Sequence, residues 1–223
     1  MHPVKNIRFK VCCIGNVDEA VMAIELGASA LGLVSKMPSG PGVISNEMIC
    51  EIVKVIPPGV ASFLLTSELK AEQIILQQKI FRTNTLQLVD EVEITEYEKI
   101  KSALPGVSIV QVIHVMDESS ISHAVKISKH VSGILLDSGN PKLKIKELGG
   151  TGKVHDWEIS RKIREAIDIP VFLAGGLNAS NVTEAMDKVS PFCVDLCSGV
   201  RTEGNLDRIK LENFFKEVKS YLH

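Results

Sequence analysis

Cys12 follows Lys10 by two positions in the run Ile7 to Cys13, whose pattern is that of a β-strand. Side chains two apart in a strand share a face, so a thiol and an ammonium project together. An ammonium lowers the pKa of a neighbouring thiol and enlarges its thiolate fraction, which suits a general base or a nucleophile. A buried structural cysteine is the competing reading, since such residues are common in strands. Asp137 closes a second apolar run, Gly133 to Asp137, where it could serve as an acid opposite Cys12 or cap the following loop. His114, at the end of the run Val107 to Val115, is a rival proton carrier or a structural histidine. Two glycine-bearing segments, Gly175-Gly176-Leu177-Asn178 and Ser198-Gly199-Val200, could bring backbone amides onto a phosphate or could simply be turns. Lys153 ends Gly149-Gly150-Thr151-Gly152-Lys153, but Val154 follows it and Glu147 stands where a P-loop needs its first glycine. That segment reads instead as a lid carrying Lys153 toward an anionic substrate.

Eight short β-rich runs are available to position these residues: Ile7 to Cys13, Ala30 to Val34, Val60 to Leu65, Thr85 to Val89, Val107 to Val115, Gly133 to Asp137, Pro170 to Leu173 and Phe192 to Cys197. Helix-period segments alternate with them. Val17, Ala20, Val21 and Ile24 mark the first helical face, with Asn16 and Glu19 in capping-box spacing and Gly27 as a stop. Ile49, Ile52, Val53 and Ile56 mark the second, after Ser45 as N-cap and before Pro57-Pro58-Gly59. Similar stripes run through 121–125, 159–167, 182–189 and 211–222. Eight βα units predict an α/β fold, a (β/α)₈ TIM barrel, formed as a single domain over 1–223. A doubly wound open sheet is the rival, but Cys13-Ile14-Gly15-Asn16 lacks the glycine-rich turn of its dinucleotide-binding form. In the barrel, Lys10 and Cys12 point inward, with Cys12 at the mouth, while Phe9, Val11 and Cys13 meet the helices. The same parity turns Asp137 and Asp195 inward, Asp195 as a residue that orients the substrate.

Composition narrows the partners. A formal charge of -2 and 4% aromatic residues supply neither an electrostatic footprint nor stacking platforms for nucleic acid. No stretch approaches the roughly 20 apolar residues of a membrane span, and the opening residues lack the pattern of a signal peptide. The five cysteines show no paired metal spacing such as C-x-x-C, so no metal is expected and a reducing, cytoplasmic setting is. The expected partner is a phosphorylated small molecule; the sequence sets no oligomeric state.

In this order the motifs resemble those of the phosphoribosylanthranilate isomerase family. Lys10-Val11-Cys12-Cys13-Ile14 is similar to its K-[IV]-C-G-I, and Leu135-Leu136-Asp137 to its L-L-D strand. Gly149 to Lys153 with Asp156-Trp157 resembles G-G-T-G-K-x-x-D-W. Leu173 to Asn178 and Val194 to Val200 resemble L-A-G-G-L-x and V-D-x-S-S-G-V. The resemblance implies an Amadori rearrangement of an aminoaldose phosphate to an aminoketose phosphate in tryptophan biosynthesis, without metal or organic cofactor. It implies Asp137 as the general acid at the furanose oxygen and Cys12 as the base at the sugar C2. Lys10, Gln87, Asp195 and Lys153 are the implied substrate contacts, and Gly175, Gly176, Asn178, Ser198 and Gly199 the phosphate site.

Four positions depart from the family pattern. Gly42 stands where the second loop usually carries an arginine for the anthranilate carboxylate, with Lys36 nearby but lacking the bidentate fork. Val89 replaces the histidine of V-Q-L-H-G while Gln87 is kept, Cys13 replaces the glycine after the base, and Cys197 replaces the first serine of S-S-G. These changes leave open a paralogue with another aminosugar phosphate, a different phosphosugar isomerase or lyase, or a non-catalytic barrel that binds a phosphorylated metabolite.

Overall fold

The computed structural model describes residues 7–139 and 155–222. Eight parallel strands close into a barrel in sequence order. They are β1 (Arg8–Val11), β2 (Ala30–Val34), β3 (Ala61–Thr66), β4 (Thr85–Leu88), β5 (Ser108–His114), β6 (Gly133–Asp137), β7 (Val171–Leu173) and β8 (Cys193–Leu196). The helices that follow are α1 (Val17–Leu26), α2 (Asn46–Val55), α3 (Ala71–Phe81), α4 (Ile94–Ala103), α5 (Ser119–Ile127), α6 (Trp157–Ala166), α7 (Val182–Val189) and α8 (Arg208–Leu222). All eight expected strands form, each within two residues of its expected ends. The closed single-domain barrel replaces the open-sheet alternative.

Local chemistry sets the helix ends. The Asn16 side chain accepts from the Glu19 amide at 2.9 Å, and Gly27 ends α1 in the left-handed conformation at φ 118°. Ser45 caps α2 by accepting from the Met48 amide at 3.2 Å. In α3 and α4 the inner faces include polar residues. Thr83 donates to Gln78 at 2.7 Å, and Glu96 accepts the first amide of α3, that of Ala71, at 2.6 Å. These contacts satisfy backbone and side-chain groups that burial would otherwise leave costly.

The core has two layers. Ile14, Leu31, Leu64, Leu86, Ile134 and Val194 are fully buried between strands and helices. Phe63, Leu65, Val110, Val112, Leu135 and Phe172 fill the barrel interior. Burying an aliphatic or aromatic side chain of this size contributes about 1.5–3 kcal/mol before entropy is counted. The closing β1–β8 seam sets Lys10 directly opposite Asp195. A short 3₁₀ turn, Ser198–Val200, then leads to a small hairpin, β9 (Arg201–Thr202) and β10 (Asn205–Leu206).

Candidate active site

The C-terminal ends of the strands surround a cleft whose floor and walls include Cys12, Gln87, Asp137, Asp195 and the loop glycines Gly175 and Gly176. Lys10 lies beneath, fully buried, its Nζ 2.8 Å from Asp195 Oδ2 and over the Phe63 ring at 5.3 Å. Gly32 on β2 leaves room for both inward side chains. A Cβ there would fall 2.8 Å from Cys12 Sγ and 3.1 Å from Lys10 Nζ. Strand parity therefore places Lys10 and Cys12 as the sequence predicts, and Asp137 and Asp195 join them in the cleft.

The acid–base electrostatics diverge. Burial, reinforced by the nearby Cys12 charge, pushes Asp137 up to about 6, against the pull of the Ser138 amide and Lys10. The Cys13 S–H hydrogen bond, opposed by burial and assisted by the Lys10 ammonium, lowers the Cys12 thiol below its ordinary value. Burial disfavours the Lys10 ammonium, yet Asp195 and Cys12 together hold its pKa above the usual lysine value. One cleft thus holds a carboxyl whose pKa is raised and a thiol whose pKa is lowered, a convergence suited to paired proton transfer. Asp195 offers a further feature: its Oδ1 is buried without a partner among the described residues, as is Gln87 Oε1.

Cys13 is a correction. Strand parity sends it toward the helices, but β1 ends at Val11 and Cys13 adopts φ 61°, which swings its side chain into the mouth. A non-glycine residue in that region costs about 1–2 kcal/mol. Its Sγ lies 3.9 Å from Cys12 Sγ and 3.1 Å from Cys197 Sγ. Gly42 faces it at φ 78°, and a Cβ there would lie 2.4 Å from Cys13 Cβ. The two departures are therefore one steric event: a side chain at 13 requires none at 42.

The glycine loops meet as well. Gly175 and Gly176 take φ 85° and 64°, and Ser198 joins them on the cleft wall. Gly199 has Leu177 O so close that a Cβ would clash at 2.0 Å, which locks the eighth loop against the seventh. The Asn178 side chain is engaged within its own loop, accepting from the Ser180 amide at 2.8 Å and donating to Gly176 O at 3.3 Å. His114 lies outside this cleft, lining a separate hollow with Asp90 and His123, and burial lowers its pKa. Lys153 and its glycine-rich segment lie outside the described residues.

Sequence reasoning missed Arg201. Its guanidinium donates to the backbone carbonyls of Cys12, at 3.2 Å, and Cys13, and pairs with Glu19 at 3.2 Å. Glu19 also accepts from the Gly15 amide at 2.8 Å and the Leu206 amide at 2.7 Å. In place of a local capping box, the carboxylate clasps the first and last βα loops and fixes the backbone that carries Cys12. The sequence holds only one trace of this clasp, an acidic residue at a helix start that becomes buried.

A closed barrel of eight parallel strands, with a raised carboxyl, a lowered thiol and a glycine-walled cradle at the C-terminal strand ends, places the chain in the (β/α)₈ class with the layout of an enzyme site. Comparison with known proteins refines that class. The family model for N-(5'-phosphoribosyl)anthranilate (PRA) isomerase matches residues 9–217. N-(5'-phosphoribosyl)anthranilate isomerase 2 of Methanosarcina mazei is 35% identical over 217 residues, covering 96% of this chain and 95% of that protein. The crystal structure of the phosphoribosyl anthranilate isomerase of Thermotoga maritima superposes with a TM-score of 0.83 at 30% identity, covering 96% of this chain and all of that one. A further crystal structure of a phosphoribosyl anthranilate isomerase, at 28% identity, TM-score 0.80 and coverage of 96% and 100%, is in complex with reduced 1-(o-carboxyphenylamino)-1-deoxyribulose 5-phosphate. The chain belongs to the N-(5'-phosphoribosyl)anthranilate isomerase family, and it is an isomerase of the Amadori type.

Proposed function

We propose that this chain converts N-(5'-phosphoribosyl)anthranilate into 1-(o-carboxyphenylamino)-1-deoxyribulose 5-phosphate. The observation that carries the reading is the opposed titration of Asp137 and Cys12 inside one cleft. Asp137 gives its proton to the furanose ring oxygen, and the ring opens to a protonated Schiff base. That cation makes the C2 hydrogen acidic, and the Cys12 thiolate removes it. The resulting enolamine gains a proton at C1 as the C2 hydroxyl becomes a carbonyl. No step in this scheme calls for a cofactor or metal.

The remaining residues bind and orient. Asp195 Oδ1 and Gln87 Oε1, buried and unpaired among the described residues, accept hydrogen bonds from substrate hydroxyl or amine groups. Lys10 pairs with Asp195, opposing the burial that raises the carboxyl's pKa, and supports the Cys12 thiolate. The phosphate rests on the amides around Gly175, Gly176, Ser198 and Gly199, with Asn178 shaping that loop. Met37, Pro41, Leu65, Val89 and Val112 make an apolar wall that suits the aromatic ring. Lys36, exposed on the second loop, and Lys153 are the cations for the anthranilate carboxylate in place of an arginine at 42. No helix among the described residues is long and apolar enough to cross a membrane, and this reading assigns the enzyme to the cytoplasm, where thiols stay reduced.

The test is the fluorescence decay of freshly formed N-(5'-phosphoribosyl)anthranilate with purified protein beside a Cys12→Ala control. Loss of fluorescence that depends on Cys12 is expected. Absence of turnover, with phosphate esters still raising thermal stability, would overturn the substrate assignment and point to another aminosugar phosphate.

A further inference from the structure

Three sulfurs stand in a row at the mouth: Cys12, Cys13 at 3.9 Å, and Cys197 at 3.1 Å from Cys13. The isomerisation uses only the first. Cys13 occupies a backbone conformation better suited to glycine, with Gly42 giving up its side chain to make room. Strain held at a site calls for a role there. Arg201 anchors the carbonyls on either side of the Cys12–Cys13 link, so the row is rigidly presented, and its charge lies within electrostatic reach of both Cys13 and Cys197. Cys197 is partly exposed on the cleft wall, which opens to solvent.

We propose that Cys13 and Cys197 form a resolving pair that protects Cys12, so that oxidation of Cys12 by a hydroperoxide ends as a reversible Cys13–Cys197 disulfide. The Cys12 thiolate attacks the peroxide oxygen, forming a sulfenic acid and, with one proton taken up, releasing an alcohol, or water if the oxidant is hydrogen peroxide. Cys13, whose thiol is pushed up by its sulfur neighbours and by burial, gives its proton to the departing hydroxyl as it attacks the Cys12 sulfur, forming a Cys12–Cys13 disulfide and expelling water. This bond is strained, because adjacent Cα atoms lie about 3.8 Å apart, short of the roughly 4.4–6.8 Å that disulfides prefer. Cys197 then attacks the Cys13 sulfur, loses its proton and releases Cys12 as thiolate. A depressed pKa makes Cys12 the better leaving group in this exchange. In sum, two thiols and one hydroperoxide become one disulfide, one alcohol and one water, and a cellular dithiol returns the pair to its reduced state. Without the pair, the Cys12 sulfenic acid is free to advance to sulfinic acid, which is not recovered by thiols.

The proposal needs Cys12 to be a thiolate, not to be the base of the isomerisation, so it stands apart from the substrate assignment. The experiment treats reduced protein with hydrogen peroxide near stoichiometry, blocks remaining thiols with iodoacetamide, and maps cysteine peptides by mass spectrometry. The wild type should give a peptide pair joined through Cys13 and Cys197, with Cys12 alkylated. Cys197→Ser should stop at a bond within the Cys12–Cys13 peptide. Cys13→Gly, which suits the local backbone, should form neither bond. Because it also removes the hydrogen bond that lowers Cys12, sulfinic acid is measured relative to the rate of Cys12 sulfenic acid formation, and on that scale it should accumulate at least about five-fold faster than in the wild type. Equal rates of sulfinic acid formation in the wild type and Cys13→Gly, each measured relative to Cys12 sulfenic acid formation, would overturn the proposal. So would the absence of any link to Cys197 in the wild type, which is read on the unaltered protein and does not depend on how a variant folds.

Discussion

Replacing Gly42 with alanine tests the steric dependence between loops 1 and 2. The new Cβ would lie 2.4 Å from Cys13 Cβ, 2.9 Å from its Sγ and 3.0 Å from its Cα, where ordinary contacts begin at 3.4 Å. Two of those atoms are close to the backbone and cannot swing aside as the end of a long side chain can. Overpacking of this kind costs about 1–3 kcal/mol, and a side chain at φ 78° adds about 1 kcal/mol. Gly42→Ala alone should therefore lose about 2–4 kcal/mol. Cys13→Gly removes the Cβ and Sγ overlaps, leaving the backbone penalty and the tight Cα approach, so the same substitution in that background should cost only about 1–2 kcal/mol. Urea unfolding of the wild type, both single variants and the double variant gives the coupling directly, expected at about 1–2 kcal/mol. Additive effects would refute the claim that Cys13 is what requires Gly42.

Three further outcomes follow from the site. Asp137→Asn should cut kcat by about 10²–10⁴-fold in the fluorescence assay while stabilising the fold above pH 6. The native carboxyl binds its proton more tightly than the unfolded one, so its contribution is complete below about pH 3.8 and lost as pH rises toward 6. The shift corresponds to about 3 kcal/mol, so the gain of the variant over the wild type in urea should grow across that window and level off above it. Lys10→Met leaves Asp195 buried and unpaired; urea titration should show a loss of about 3–5 kcal/mol, and Lys10→Met/Asp195→Leu should recover most of it. Arg201→Met should cost about 2–3 kcal/mol, and hydrogen exchange should show faster opening at the Gly15 and Leu206 amides, which Glu19 holds.

The parts of the fold visible in the sequence are those written in local patterns. Alternation along the run Ile7 to Cys13 placed Lys10 and Cys12 on one face, and Asn16, Gly27 and Ser45 marked helix ends through chemistry confined to a few residues. Cys13 was misplaced because its conformation is imposed from outside: strand parity ends at Val11, and cysteine has no intrinsic preference for positive φ. Gly42 carried the missing clue, but its meaning depends on a contact across 29 positions of chain. The buried polar faces of α3 and α4 are obscured for a similar reason. Gln78 and Glu96 look like solvent-facing residues until Thr83 and the Ala71 amide supply their partners. Arg201 and Glu19 lie 182 residues apart, and no period or spacing links them.

The clasp at the barrel seam also sets an order of events during synthesis. Cys12 leaves the ribosome well before its supports: Lys10 gains its carboxylate 185 residues further along the chain and Glu19 its last amide 187 residues further along. At roughly 5–20 residues per second, that interval is about 10–40 s. For that time the nascent chain displays its reactive thiol on an unfinished loop, and a chain halted before Leu206 would carry every residue of the first loop without a working site. The earliest chemistry in the sequence is the last to be assembled.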